Sequence, residues 1–186
     1  MRIISGQLKG RKIELPAGIR PTQDKVRKAL FDILGDISGL SLLELYAGSG
    51  AVGLEALSQG AGRVVFVDKD RECIKVIREN IAKMGISAES ETSHCRVIAM
   101  DIEEAIKRLD KRGEQFEVVF LDPPYYQELV KKTLKMLNRC DILSPCGFVV
   151  CQHFKKDSLP AETEGLILVK QAEYGDTVLS FYKKRQ

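Results

Sequence analysis

From residue 41 onward the chain alternates short apolar runs with segments of helical periodicity, and this alternation restricts the possible fold more than any other feature. Apolar runs stand at LLELY (42–46), RVVFVD (63–68), CRVIAMD (95–101), FEVVFLD (116–122) and GFVVCQH (147–153). Helical patterns fall between them. One lies near 51–59, one is marked by Ile74, Ile77, Ile81 and Met84 ahead of Gly85, one is a charged stretch after 101, and one shows Leu129, Leu134 and Leu137 over about 127–138. Strands alternating with helices predict a mostly parallel sheet wound right-handedly, and runs such as VVFV suit strands covered on both faces. LILVKQ (166–171) and TVLSFYK (177–183) follow with only a turn at Gly175 and Asp176 between them. They predict an antiparallel C-terminal hairpin at one edge of a seven-stranded sheet. In open α/β sheets ligands bind at the carboxyl ends of the strands. Three of the first four strands end in an acid, Asp68, Asp101 and Asp122, and the first carries Glu44 just before its loop.

The residues ahead of this core read differently. RIIS and KIEL, with Gly6 and Gly10 between them, predict a small β-hairpin within 2–15. Thr22 stands where a helix N-cap would, with Asp24 in the first turn, and Val26, Leu30, Ile33, Leu34 and Ile37 recur at helical spacing. An amphipathic helix is expected over 23–35. A chain of 186 residues suits one domain, expected as a basic hairpin extension over 1–22 and a Rossmann-like core over 23–186.

Charge is informative only when partitioned. The formal net charge is +3, yet residues 1–30 hold eight basic and two acidic residues, whereas 31–182 hold 18 basic and 24 acidic ones. Lys183 to Gln186 add three more positive charges. A mildly acidic body with basic ends points to a polyanion partner, although Lys and Arg also solvate helix faces and tails. With 44% hydrophobic residues the chain is not of disordered composition. No run approaches the roughly 18 apolar residues of a membrane span. The start, MRIISGQLKGRK, lacks the apolar stretch of a secretory signal, so a cytoplasmic protein is expected. Five irregularly spaced cysteines read as reduced thiols, and Cys146, Cys151 and His153 match no zinc spacing, so no metal is expected.

Two motifs carry chemistry. Gly48-Ser49-Gly50-Ala51-Val52-Gly53, with Asp68 twenty residues after Gly48, is literally the G-x-G-x-x-G pattern of a dinucleotide site with its ribose-binding acid. S-adenosylmethionine (SAM) enzymes use the same strand, loop and helix, so the loop alone leaves the cofactor open. Asp122-Pro123-Pro124-Tyr125 follows the strand run VVFL. The two prolines remove backbone donors and stiffen the loop. A carboxylate, a backbone carbonyl and an aromatic face then leave the strand end together. That set suits a planar base bearing an exocyclic amino group, with the acid and the Pro123 carbonyl accepting the amino hydrogens and Tyr125 stacking on the ring. Conjugation makes such a nitrogen a poor nucleophile, so positioning and preorganised acceptors must supply most of the rate.

On these residues the chain resembles a known family. ELYAGSGAVGLEALSQGA, VVFVDKD and LDPPYY are similar to motifs I, II and IV of the class I SAM-dependent methyltransferases that act on amino nitrogens. MRIISGQLKGRKIELP, RPTQDKVRKALFDIL and YGDTVLSFYKK are similar to the beginning and end of the bacterial RsmD family, which methylates N2 of one guanine in 16S ribosomal RNA. Glu44 stands where that family usually has Asp, and Asp68 where it often has Glu; both keep the carboxylate. The resemblance implies that Glu44, Gly48 and Gly50 line the aminoacyl end of SAM, that Asp68 takes the ribose, and that Asp101 and Ile102 lie by the adenine. Tyr46 and Lys69 join these cofactor-binding residues. Asp122, Pro123, Pro124 and Tyr125 would hold the target guanine, with Tyr126 and Phe154 as weaker candidates for stacking. Arg11, Lys12, Arg20, Thr22 and Arg27 would meet the RNA, which the resemblance places in a small-subunit particle; a monomer is favoured. Three other functions remain open. A DNA adenine-N6 methyltransferase would also use D-P-P-Y, but 186 residues leave little room for a target-recognition domain. A silent RNA-binding assembly factor would not need the intact acids. An NAD-dependent oxidoreductase would need a substrate domain and a catalytic histidine constellation that the sequence does not show.

Overall fold

The apolar runs become strands. In the computed structural model, which describes residues 1–19, 22–86, 94–124 and 128–185, they are β1 Ser41–Leu45, β2 Arg63–Asp68, β3 Cys95–Ala99, β4 Phe116–Leu121, β5 Leu143–Phe154, β6 Leu166–Tyr174 and β7 Thr177–Lys184. The helices are α1 Asp24–Leu34, α2 Ala51–Ser58, α3 Arg71–Lys83, α4 Ile102–Lys111 and α5 Leu129–Leu137. One seven-stranded sheet has the order β3-β2-β1-β4-β5-β7-β6. Strands β1 to β5 pair in parallel, and β7 runs antiparallel between β5 and β6, which is the expected edge hairpin.

Strand alternation builds two cores. Leu42, Val64, Phe66, Val118 and Phe120 face one side, where they meet Leu30 and Phe31 of α1, Val52 and Leu54 of α2 and Ile77 and Ile81 of α3. Leu43, Leu45, Val65, Val67, Val119 and Leu121 face the other, against Ile106 and Leu109 of α4 and Leu134 and Leu137 of α5. Both faces are therefore covered, as the unbroken apolar runs require. Leu45 sits level with Val67 on one side and Leu121 on the other. That register sets the ends of β1, β2 and β4 at one edge of the sheet. The chain order reverses between β1 and β4 there, so a ligand crevice opens at this point.

The N-terminal unit departs from expectation. The hairpin within 2–15 reduces to a single antiparallel bridge, Arg2 with Lys12, plus scattered backbone bonds such as Ile3 N–H to the Arg11 carbonyl. The reason is competition: the amides of Ile4 and Ser5 donate to the Glu55 carboxylate at 2.9 and 2.8 Å instead of to a partner strand. Ile3 and Ile13 are buried in the same core as α1 and α2, so the extension is packed onto the sheet domain. Helix α1 begins one residue later than expected, with Gln23 at the N-cap position and no side-chain cap. Strand β5 begins earlier than its apolar run, at Leu143, passing a register shift opposite Phe116 and Val118. No described helix is long and apolar enough to cross a membrane.

Candidate active site

A cleft of about 950 Å³ opens at the carboxyl edge of the parallel strands. Each of the first four strands contributes to it: Tyr46 and Gly48 after β1, Asp68 and Lys69 at the end of β2, Asp101 and Ile102 after β3, and Asp122, Pro123 and Pro124 after β4. Gln152 and Phe154 of β5 and the β6–β7 turn, Tyr174 to Thr177, close the far side.

The loop after β1 is shaped by left-handed residues. Tyr46, Gly48 and Gly50 have φ of 58, 56 and 73°. For Tyr46 this is a strained conformation, and its hydroxyl is tied to Thr133 Oγ1 at 2.9 Å. A Cβ on Gly48 would find only Ile19 within van der Waals range, so the loop backbone faces open cleft there. Gly53 serves a different need, because a Cβ would stand 2.4 Å from the Phe66 ring; helix α2 lies directly on β2. The Asp68 carboxylate clasps the loop from the next strand, accepting Gly48 N–H at 2.9 Å on one oxygen and Asp70 N–H at 2.9 Å on the other. Asp70 then caps α3, and Asp101 caps α4.

Glu44 decides which cofactor this loop can take. Its carboxylate, 3% exposed, accepts the amides of Val52 at 3.2 Å and Gly53 at 2.8 Å in the first turn of α2. A pyrophosphate would need those donors, since helix N-termini bind anions through unpaired N–H groups. Here a side chain of the chain itself occupies them. Burial pushes Glu44 up to about 8, against those two amides, while nearby Asp122 adds to the rise and Arg27 opposes it. Among the described residues the cleft is lined by Asp68, Asp70, Asp101, Glu103, Asp122 and Asp176 against Lys69 and Lys132, a field suited to a cation. An open glycine cradle and an acidic wall fit the sulfonium cofactor and not a dinucleotide.

At the other end of the cleft Asp122 accepts two bonds on one oxygen, from Thr22 Oγ1 at 3.1 Å and Gln152 Nε2 at 2.7 Å. Burial raises its carboxyl to about 7, with those two donors pulling it back. Pro123 is buried behind it and Pro124 is exposed. Tyr125, Tyr126 and Arg20 lie outside the described residues.

The expected site residues therefore sort as follows. Tyr46, Gly48, Asp68, Lys69, Asp101, Ile102, Asp122, Pro123 and Pro124 share one cleft. Glu44 and Gly50 do not line it. Glu44 instead reaches a recess of about 60 Å³ shared with Thr22, Ala47 and Asp122, and acts on the loop from behind. Two expected RNA contacts are corrected. Arg27 is fully buried, bonded to Glu55 Oε2 at 3.2 Å, and Thr22 is 8% exposed with its hydroxyl given to Asp122. Neither is placed to touch phosphate. Arg11 and Lys12 remain exposed, but Arg11 bonds the Lys83 carbonyl at the far end of α3 from the cleft. Among the cleft residues that carry no signal in the sequence are Gln152, hidden inside the apolar run of β5, and Thr133, on the buried side of α5. The YGDT turn is recognisable as a motif, yet only the fold brings it to the cleft.

The fold and this cleft define a class I SAM-dependent methyltransferase. The chain belongs to the family described as Conserved hypothetical protein 95, the RsmD family, whose model matches residues 1–183. The putative rRNA methyltransferase YlbH of Bacillus subtilis is 37% identical over 188 residues, covering 100% of both chains. Ribosomal RNA small subunit methyltransferase D of Escherichia coli is 30% identical, covering 99% of this chain and 90% of that one. A solved hypothetical protein of Thermus thermophilus superposes with a TM-score of 0.84 at 33% identity, over 98% of this chain and 99% of that one. S-adenosylhomocysteine (SAH) at a hundredfold excess over its Kd should accordingly raise the Tm by about 5–10 °C, and NADH should not. A thermal shift with NADH and none with SAH would overturn the assignment of the loop.

Proposed function

We propose that this chain transfers the methyl group of SAM to the exocyclic N2 amino group of one guanine in 16S ribosomal RNA, presented by a small-subunit particle. The observation that carries the reading is the placement of Asp122: a partly buried carboxylate at the end of β4, held by Thr22 and Gln152, in the same cleft as the Asp68-clasped loop. The name of the Escherichia coli relative supports ribosomal RNA as the substrate class.

SAM, when bound by the Gly48 loop, Asp68, Asp101 and Ile102, supplies an electrophilic methyl group. The protein's task is to aim the nitrogen. The Asp122 carboxylate and the Pro123 carbonyl accept the two amino hydrogens and turn the nitrogen toward the loop. The ionised acid also stabilises the positive charge that grows on nitrogen as the bond forms. No strong base is needed first, because the product nitrogen is acidic and loses its proton afterwards. A base cannot reach this depth while stacked, so the target nucleotide is flipped into the cleft, whose volume leaves room for cofactor and base together. Arg11 and Lys12, a helix length away, are offered to phosphates of the flanking RNA.

Mass spectrometry of ribosomal RNA from a strain lacking the gene tests this directly. One N2-methylguanine of 16S RNA should be missing, restored by the wild-type chain and not by Asp122→Ala. A full set of N2-methylguanines in the deletion strain would reject the reading.

A further inference from the structure

Gln152 stands in β5 opposite Leu179 of β7 and is 4% exposed. Its Nε2 donates to Asp122 Oδ2 at 2.7 Å, whereas its Oε1 is buried and has no hydrogen-bond partner among the described residues. The ionised form of Asp122 fixes the amide orientation. A carboxylate only accepts, so the NH₂ end must face Asp122 and the oxygen must face away from it. A buried acceptor left unpaired is costly to a fold, so native structures keep few of them and each calls for a partner. Gln152 lines the cleft beside the carboxylate, where the edge of a base would rest.

We infer that Gln152 reads the target base, its Oε1 accepting the N1–H of guanine while Asp122 and Pro123 hold the neighbouring amino group. The inference rests on the guanine-N2 reading above and goes beyond it by assigning the selection of the base. Guanine carries a donor at N1 next to the amino-bearing carbon. Adenine and 2,6-diaminopurine carry an acceptor there. An acceptor set against Oε1 leaves two polar atoms buried and unpaired, which is how a site built to bond a substrate N–H rejects an analogue lacking it. Gln152 thus has two functions in one side chain: its amide nitrogen positions Asp122, and its oxygen discriminates.

The two functions separate experimentally. Small subunits are reconstituted from RNA ligated to carry either guanine or 2,6-diaminopurine at the modified position; both bases present a 2-amino group. Single-turnover rates are measured for the wild type, Gln152→Leu and Gln152→Glu, with SAH-induced thermal stabilisation reporting that each variant is folded. The wild type should prefer guanine by about tenfold or more, the range of one well-placed polar contact to a base. Gln152→Leu, which loses both functions, should slow both bases but guanine by the larger factor, and so flatten that preference. Gln152→Glu, which keeps an acceptor, should retain the preference at a reduced rate. If Gln152→Leu slows both bases by one common factor, the residue only supports Asp122 and the inference fails. A wild type that treats both bases alike overturns it without any variant. If the guanine RNA gains no N2-methyl group at all, the proposed function has failed instead, and the base-reading inference falls with it.

Discussion

Asp122→Ala lowers the single-turnover rate of methyl transfer by at least about 10²- to 10³-fold, the range seen when one preorganised polar group is removed from a charged transition state. SAH still raises the Tm of the variant, because the Gly48 loop is held by Asp68 and Glu44, not by Asp122. The split between lost rate and kept cofactor binding distinguishes an amino-group mechanism from a merely structural acid. A variant with most of its rate would show that the nitrogen is oriented by something else.

The carboxyl of Asp122 adds a pH signature with a definite sign. In the fold it is raised to about 7 by burial, so the ionised acceptor accumulates only as pH climbs through that value. The rate should rise from pH 6 to pH 8 with a midpoint near 7. The stability contribution runs the opposite way. An acid whose folded pKa is raised favours the fold below its unfolded pKa of roughly 3.9, and that contribution is lost as pH rises through about 7. Asp122→Asn, nearly as inactive as the alanine variant, should therefore be more heat-stable than the wild type at pH 8. The difference should shrink toward pH 4.

How much of this could be read from the sequence depended on whether a residue's partner was local. The central strands β1, β2 and β4 were legible because both faces are covered, leaving no polar alternation to obscure them. The acids at the ends of β2, β3 and β4 were legible for the same reason, since a charge that ends an apolar run marks the point where the strand leaves the core. Thr22 misled because a threonine two residues before a helix obeys a local capping rule, whereas its actual acceptor lies 100 residues on. The hairpin is shortened to the Arg2–Lys12 bridge for a like reason, the next amides being claimed by a glutamate about 50 residues away. Gln152 was invisible as one polar residue within GFVVCQH. Arg27 was counted with the surface charges, yet its spacing held a warning: Leu30 and Phe31, three and four residues on, share its helix face and are buried.

That buried arginine leads to the second large effect. Arg27 and Glu55 have side chains 0% and 1% exposed and pair at 3.2 Å. Around this pair the N-terminal segment is assembled. Glu55 accepts the amides of Ile4 and Ser5, and Arg27 donates to the Arg2 carbonyl and to Asp24. Removing Arg27 strands Glu55 as an uncompensated buried charge, which costs about 3–5 kcal/mol, whereas removing the Glu55 charge leaves Arg27 its ion pair with Asp24. Arg27→Met should thus lower the Tm by roughly 10 °C in a domain of this size, and Glu55→Gln by less, because Arg27 keeps Asp24. The double variant should lose less than the sum of the two, because neither charge is left behind. Additive losses in that cycle would mean the pair does not act as a unit. The damage should also reach the chemistry. Helix α1, which Arg27 anchors, begins two residues after Thr22, whose bond to Asp122 draws that carboxyl down. With α1 loosened, Thr22 drifts from Asp122 and the acid titrates higher. In Arg27→Met, assayed well below its Tm, the midpoint of the pH–rate profile should move to higher pH. An unmoved midpoint would mean that the N-terminal segment stabilises the domain without tuning its acid.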